Sequence, residues 1–421
     1  MVTIHIIFTV AIQNQWSVTQ LDMSNAFLHG ELVDEVFMKQ PMGFIDSQLP
    51  QHVCKLHRSI YGLKQSPRQW FNRFTSYLQT LGFCFSKADP SLLIFTQNKI
   101  CSFILVYVDD ILVTGNNNDH IQGVLRKLQQ EFRLKQLGDI SLFLGIQVIK
   151  NNNNYFLHQE HYARDLLTIA GFKDCKPSNT PLGMKPRIQP DDQPYSVPTH
   201  FRKLAGSLQY LSITRPDIVF ATNNICQHMH SPRNRDYQDL KRLLRYVKAT
   251  LDFRLPISTD NLNLRVYTDT DWASDQADRK SVSGFYIFLE STLISWHAKK
   301  QATVAKSSTE AEYRSLSSAT SDTIWLRRLL AEFHIPQLQP TLIYCDNTSA
   351  IAIAHNPVFH ARTKHIEIDY HFINDHIKNG AIQLHHISSE DQIADINLTK
   401  PLPAKRFNIL RSKLNIRPLN R

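Results

Sequence analysis

The six cysteines of this 421-residue chain, Cys54, Cys84, Cys101, Cys175, Cys226 and Cys345, never fall into a CxxC pair. That scatter indicates neither a zinc site nor a disulfide framework, and it suits a reducing intracellular setting. His355, His360 and His365 also lack the spacing of zinc ligands. Long apolar runs are missing too. The opening segment Met1 to Ala11 is apolar, but it is too short to span a bilayer and lacks a basic leader. It is expected to be a buried segment of a soluble protein without a membrane partner. No nuclear-import signal stands out, since Lys299-Lys300 is only a pair. What is present is ordinary globular material: 42% hydrophobic and 20% charged residues, enough for packed cores. At roughly 150 residues per domain, the length suggests two or three domains. Lys plus Arg is 47 against 37 Asp plus Glu, a formal net charge of +10. Such an excess suits a polyanionic partner such as nucleic acid, although a merely soluble surface gives the same sign.

Along the chain the pattern changes three times. Over 1–175, apolar runs alternate with helical spacing. Ser17 to Leu21 reads as a strand ending at Asp22. Trp70, Phe74, Tyr77, Leu78 and Leu81 come after Pro67 at helical spacing. Phe103 to Val108 and Ile111 to Thr114 are β-rich runs separated only by Asp109-Asp110, which predicts a tight hairpin there. Asn151 to Asn154 reads as a turn between two further strands. The stretch 176–200 holds Pro177, Pro181, Pro186, Pro190, Pro194 and Pro198, a density that predicts a stiff connector. Over 201–258 the spacing turns helical. Tyr237, Leu240, Leu243, Leu244 and Val247 form an apolar stripe, with Lys241, Arg242, Arg245 and Lys248 largely off it. That basic side suits a phosphate backbone or plain solvent equally. From 259 to 421, three strand-like runs precede alternating helices and strands, an α/β plan.

Chemistry concentrates first at Asp22, Asp109 and Asp110. Two adjacent carboxylates beside an apolar sheet are costly unless a cation compensates them. Mg²⁺ prefers oxygen ligands and serves phosphoryl transfer. An isolated Asp-Asp pair is more often an exposed turn, so the surrounding wording matters. Gln20-Leu21-Asp22-Met23-Ser24-Asn25-Ala26-Phe27-Leu28-His29-Gly30, Tyr61-Gly62-Leu63-Lys64-Gln65-Ser66-Pro67-Arg68-Gln69-Trp70-Phe71 and Tyr107-Val108-Asp109-Asp110-Ile111-Leu112 occur in this order. Together they closely resemble the reverse transcriptases of copia-type LTR retrotransposon Pol polyproteins, and the resemblance runs from about Val2 to about Lys400.

The resemblance implies an α+β palm with part of the fingers over 1–175, a helical thumb or connection over 201–258 and an α/β ribonuclease H-like domain over 259–421. It implies that Asp22, Asp109 and Asp110 hold metal, Mg²⁺ or Mn²⁺. Phe27 matches the aromatic under the incoming sugar, and Ser66 and Arg68 match the segment supporting the template and the new base pair. Phe143, Leu144 and Gly145 match the strand pair that grips the primer. Read without the family, Phe27 is a core residue, Ser66-Pro67 a helix start and Phe143 to Ile146 an ordinary strand. Lys135 and Lys127 are rival proton donors to pyrophosphate. In the family a further stretch, forming much of the fingers, precedes the Asp22 segment. A shortened fingers region is therefore expected here.

The second set of acids is Asp269, Glu312, Asp346 and Asp395, at strand ends and helix starts. Such positions can converge on one edge of a sheet, where open α/β folds place ligands. Singly, each is more often a cap or turn residue, and Asp346 before Asn347-Thr348 is an N-cap candidate. As a set, with Asp271-Trp272-Ala273, Arg279-Lys280-Ser281, Ser295-Trp296, Lys299-Lys300-Gln301 and Thr363-Lys364-His365-Ile366-Glu367, they resemble ribonuclease H. The resemblance implies that all four acids hold metal, with Asp271 and Glu310 as alternatives in register. It also leaves His385 or His386 as candidates to assist product release, and Arg362, Lys364 and His365 as a basic cluster for the hybrid's phosphates. From Asp395 to Lys400-Pro401 the chain has one residue more than the family's usual spacing. Within a helix, one extra residue rotates the downstream side chains by about 100°.

The sequence supports two readings of function. One is an RNA-directed DNA polymerase with ribonuclease H activity, acting on RNA template, DNA primer, RNA/DNA hybrid and deoxynucleoside triphosphates, in cytoplasmic virus-like particles and then the nucleus. The other is an inactive, truncated relic that at most binds nucleic acid. A monomer and an oligomer both agree with the sequence.

Overall fold

The computed structural model describes residues 1–151, 154–183, 192–258, 260–275, 278–356, 366–398 and 402–418. Contacts divide the chain into two compact units, 14–144 and a second made of 1–13 with 145–421.

The smaller unit is built on an antiparallel sheet. In spatial order its strands are Cys84–Phe85, Leu92–Gln97, Ile100–Tyr107, Asp110–Gly115, Val18–Met23 and Leu134–Asp139. Alternation along the strands sends Leu21, Met23, Ile104, Val106, Ile111 and Val113 to one core. Helix Ser66–Thr80 closes that core with Trp70, Phe74 and Leu78, and helix Asn118–Glu131 adds Val124, Leu125 and Leu128. The first of these helices carries Pro67 in its opening turn, where a missing N–H costs nothing. A separate antiparallel pair, Glu31–Lys39 with Val53–Arg58, stands apart from the main sheet.

The hairpin expected at Asp109-Asp110 forms one residue earlier. Tyr107 pairs with Asp110, so Val108 and Asp109 make the turn and Asp110 opens the next strand. Val108 takes a left-handed conformation there, with φ 56°, as a two-residue hairpin turn requires.

In the larger unit, helix Val2–Gln13 has every residue from Thr3 to Ile12 buried. A helix apolar on all sides belongs inside a core. Phe8 meets Tyr155 with ring centroids 5.3 Å apart, and His5 Nδ1 lies 2.9 Å from the Ile294 carbonyl. Among the described residues no helix is long and apolar enough to cross a membrane. Strands Ile146–Asn151, Asn154–His158, Phe253–Ser258 and Arg417–Pro418 pair antiparallel in that order. The expected division at 175 and 259 therefore does not coincide with the compact units. Strands from before and after the proline-rich stretch share one sheet, and hydrogen bonding across it outweighs their separation in sequence.

The helical region adopts the expected stripe. Helices Pro198–Leu211, Val219–Gln227 and Asn234–Ala249 bury Leu240, Leu243, Leu244 and Val247. The basic side of the last helix binds protein. Arg245 Nε donates to the Lys176 carbonyl at 2.7 Å and Arg242 Nη2 to Thr180 Oγ1 at 2.7 Å. These two arginines hold down the start of the connector, a use that neither a phosphate contact nor a solvated face anticipates. Residues 184–191 of the connector lie outside the described residues.

The final region is a mixed five-stranded sheet in the order Thr292–Lys300, Val282–Leu289, Leu264–Asp271, Thr341–Cys345 and Ile382–His386. The first three run antiparallel, and the last two run parallel to Leu264–Asp271. Helix Ser308–Glu332 packs on Leu264–Asp271 and Val282–Leu289. The layered plan is that expected: an α+β sheet unit, a helical connection and a final α/β sheet region.

Candidate functional site

The first site arises from strand register. Asp22 is the direct partner of Asp110 in one ladder and of Lys135 in the other. Directly paired residues in antiparallel strands project to the same face. Leu21 and Met23 enter the core, so Asp22 projects away from it. The Met23 N–H donates to the Asp109 carbonyl at 3.0 Å, which ties the turn to the strand of Asp22. Trp70 Nε1 donates to the Val108 carbonyl at 2.7 Å and clamps the same turn from the helix. The three carboxylates thus gather at one end of the sheet. Burial, then Asp109 and Asp22, raises the Asp110 carboxyl above its usual range, while Gln20 opposes the rise. Like charges held this close are the donor set of a hard divalent cation.

Phe27 is buried, and its ring lies 4.4 Å from that of the exposed Tyr61. The Tyr61 phenol is raised by burial and then by Asp109 and Asp22, so this ring borders the acids. Tyr61 and Trp70 sit within a sequence motif that gave neither of them a role. The Phe27–Tyr61 contact joins residues far apart in the chain and left no local signal. Ser66 is fully buried, and its hydroxyl donates to the Ile60 carbonyl at 2.6 Å, closing the turn before the helix. Here the local reading as a helix start accounts for the serine. Arg68 is exposed in the first turn of the helix that carries Trp70.

Phe143 is buried, and Leu144 and Gly145 both have positive φ, 49° and 70°. A side chain at Gly145 would collide with the Tyr210 hydroxyl. That approach explains the glycine without any ligand.

The second site is assembled from four elements. Asp269 lies on the central strand Leu264–Asp271, and Glu312 lies in the first turns of helix Ser308–Glu332. Asp346 comes directly after strand Thr341–Cys345, and Asp395 begins the short helix Asp395–Leu398. All four line one cleft of about 510 Å³ with Thr270, Asn347, Ser389 and Arg406. Asp269, Glu312 and Asp395 are buried. Burial, then Glu312 and Asp395, pushes Asp269 well above the usual carboxylate range. Burial and Asp346 push Glu312 up to about 8. Burial also raises Asp395, against the opposing effect of Asp269 and Arg406. Asp269 Oδ2 and Glu312 Oε2 are buried with no hydrogen-bond partner among the described residues. Two orphaned carboxylate oxygens facing further acids are what a bound cation would satisfy, so the residues fit the metal that the resemblance implies. Ligand atoms of Glu312, Asp346 and Cys345 also lie within 4.8 Å of one another.

The alternatives separate cleanly. Glu310 accepts from the Lys306 N–H at 2.8 Å and pairs with Arg314 at 2.6 Å, so it caps the helix and stays out of the cleft. Asp271 accepts the Val282 N–H and titrates near 7, chiefly through burial. Asn347, not Asp346, caps helix Thr348–His355, accepting from the Ala350 N–H at 2.9 Å. That leaves the Asp346 carboxylate in the cleft, where Ser389 Oγ donates to it at 2.7 Å.

Two positioning residues escaped the sequence. Arg406 forms an ion pair with Asp395 and donates to the Ser389 carbonyl at 2.6 Å. Gln392 is fully buried and donates to the Thr268 carbonyl at 3.0 Å, fastening the loop of Asp395 to the strand of Asp269. His385 is half-buried beside Tyr344, and His386 is exposed. His360, Arg362, Lys364, His365, Thr399, Lys400 and Pro401 lie outside the described residues.

The family described as reverse transcriptase (RNA-dependent DNA polymerase) matches residues 1–184. The retrovirus-related Pol polyprotein from transposon RE1 of Arabidopsis thaliana is 43% identical over 416 residues, covering 98% of this chain and 28% of that protein. An uncharacterized mitochondrial protein of Arabidopsis thaliana is 44% identical over 224 residues, 53% of this chain and 93% of that one. The chain belongs to the copia-type retrotransposon Pol polyproteins. It spans 28% of the length of its RE1 relative. Among solved structures, the foamy viral protease-reverse transcriptase in complex with dsDNA has a TM-score of 0.44 at 12% identity, over 89% of this chain and 68% of that one.

Proposed function

We propose that this Pol segment is an RNA-directed DNA polymerase with ribonuclease H activity, each site working by two-metal phosphoryl transfer. The observation that carries the reading is the pair of unpartnered, buried carboxylate oxygens of Asp269 and Glu312 in a cleft with Asp346 and Asp395. At pH 7 such a cluster is unfavourable without a cation. Divalent ions, Mg²⁺ or Mn²⁺, would supply activation of the attacking oxygen and neutralise charge on the phosphorane. Asp269, Glu312, Asp346 and Asp395 would hold them for hybrid cleavage, and Asp22, Asp109 and Asp110 for primer extension.

The remaining roles belong to the chain's own side chains. Phe27 and Tyr61 form a wall beside the first acids, against which the sugar of a deoxynucleoside triphosphate would rest. A flat ring there leaves no room for a 2′-hydroxyl. Lys135, directly opposite Asp22, is the better proton donor to leaving pyrophosphate. Lys127 lies on helix Asn118–Glu131, outside that ladder. Arg406 and Gln392 orient Asp395. We read Arg68 as a template-side contact and Phe143 to Gly145 as the primer grip. The same reading has the protein act in cytoplasmic particles and then the nucleus.

The test uses purified chain, Mg²⁺ and a labelled RNA/DNA hybrid with a recessed primer. Asp269→Asn should lose RNA cleavage and keep extension, and Asp110→Asn should do the reverse. Neither activity from folded wild-type protein would overturn the proposal and leave a nucleic-acid-binding relic.

A further inference from the structure

The cysteines are too scattered in sequence to build a zinc site among themselves, but folding brings one of them to the second set of acids. Strand Thr341–Cys345 buries every second residue: Thr341, Ile343 and Cys345. Helix Ser308–Glu332 packs on this strand and carries Glu312 in its opening turns. Cys345 is the last residue of the strand, and Asp346 follows it directly. The thiol is therefore buried beside both carboxylates. Ligand atoms of Cys345, Glu312 and Asp346 all lie within 4.8 Å of one another. Among the described residues no other set of His, Cys, Asp and Glu side chains does so.

A second observation points to an ion. Glu312 is only 6% exposed, and its Oε2 has no hydrogen-bond partner among the described residues. Burial, then Glu312, holds the Cys345 thiol above its ordinary range, while the Asn347 N–H opposes the rise. Sulfur and acids thus share a pocket of negative charge that a cation would balance. The carboxylates are hard donors, which suit Mg²⁺ and Mn²⁺. A thiolate is a soft donor, from which Mg²⁺ gains little. Zinc takes both kinds, with bonds of about 2.3 Å to sulfur and about 2.0–2.2 Å to carboxylate oxygen. Donors already this near can close on such an ion through small side-chain movements.

We propose that Cys345, Glu312 and Asp346 form a capture site for thiophilic divalent cations such as Zn²⁺ and Cd²⁺. Coordination exchanges the thiol proton for the ion, and that proton leaves to solvent. Two of the ligands are acids assigned to hybrid cleavage, so an ion held there displaces Mg²⁺ and stops cleavage. That consequence rests on the nuclease reading; capture of the ion does not.

The experiment titrates the metal-free full chain with Cd²⁺, in a phosphine reductant with Mg²⁺ in excess. The readout is the thiolate-to-cadmium charge-transfer band in the ultraviolet, which carboxylates do not produce. The wild type should show a saturable band, and Cys345→Ser should lose it. Cys84→Ser removes an exposed thiol on the smaller unit and should keep the band unchanged. Asp346→Asn retains the thiol but should need at least about tenfold more Cd²⁺ for half saturation. Melting temperatures verify the fold of each variant. If Cys345→Ser does not fold, Asp346→Asn decides, because an unchanged midpoint there would place the sulfur ligand elsewhere. The proposal falls if the wild type shows no band, if the band survives in Cys345→Ser, or if Cys84→Ser removes it. In a Mg²⁺-supported cleavage assay, Cd²⁺ should inhibit the wild type at least about tenfold more strongly than Cys345→Ser. Equal inhibition of the two would overturn the competition with Mg²⁺. A saturable band from a wild-type chain that cleaves no hybrid would preserve this site while the nuclease reading fails. Cleavage by a chain without the band would do the reverse.

Discussion

Asp22, Asp109 and Asp110 stand at the solvent boundary, at the end of an antiparallel ladder, whereas Asp269, Glu312 and Asp395 are almost wholly buried. The first set comes from two strands and one turn, with backbone pairing fixing each position. The second set comes from a strand, a long helix, a strand end and a short C-terminal helix. Their electrostatics differ accordingly. In the first set, burial and then Asp109 raise the Asp110 carboxyl, partly offset by Gln20. In the second, burial raises the carboxyls of Asp269, Glu312 and Asp395, Glu312 up to about 8. A hairpin can hold acids together at the solvent boundary at small cost. A cluster built under a helix and a C-terminal loop is buried by its own scaffold, and its folded state depends on neutralisation.

The largest expected effect separates the two sites by activity. Asp269→Asn should reduce hybrid cleavage by about a hundredfold or more and leave primer extension intact, with Asp110→Asn as the mirror case. If one substitution removed both activities, the two-site comparison would be wrong.

Stability should divide the sites next. The folded pKa of Glu312 lies above its ordinary value, so between about 4.5 and about 8 the folded chain binds more protons than the unfolded one. Metal-free protein should therefore be most stable at the acid end of that window and lose stability as pH rises, by up to about 1.4 kcal/mol per pH unit for each such proton. Mg²⁺ at pH 8 should restore much of the loss, and Glu312→Gln should flatten the slope. Melting temperatures from pH 5 to pH 8 read this directly, and a metal-free chain more stable at pH 8 would contradict it.

Arg406→Gln is a smaller change with a distinctive signature. Arg406 lowers the Asp395 carboxyl, so its removal should move the acid limb of the cleavage profile to higher pH. A uniform drop in rate with no shift of the limb would reduce Arg406 to a structural contact.

Trp70→Phe removes one hydrogen bond from the Val108–Asp109 turn and should cost about 1 kcal/mol. Extension should fall while cleavage holds. Smallest of all, Glu310→Gln disturbs only a helix cap, costing about 1 kcal/mol or less with cleavage nearly unchanged. Loss of cleavage there would reopen the choice between Glu310 and Glu312.

By itself the sequence determined the elements and the family. Apolar alternation marked the strands around Asp22 and Asp110, helical spacing marked Trp70, Phe74 and Leu78, and long motif runs pointed to copia-type Pol. These signals are local, because side-chain periodicity and turn chemistry act over a few residues. The tertiary structure decided what lies opposite what. It shifted the hairpin by one residue, placed Lys135 opposite Asp22 and joined Phe253–Ser258 to Asn154–His158 across the connector. It sent Glu310 to a cap and Glu312 to the cleft, and it brought Arg406 to Asp395. Ion pairs, strand partners and burial depend on distance in space, and a residue's local sequence carries no measure of that distance.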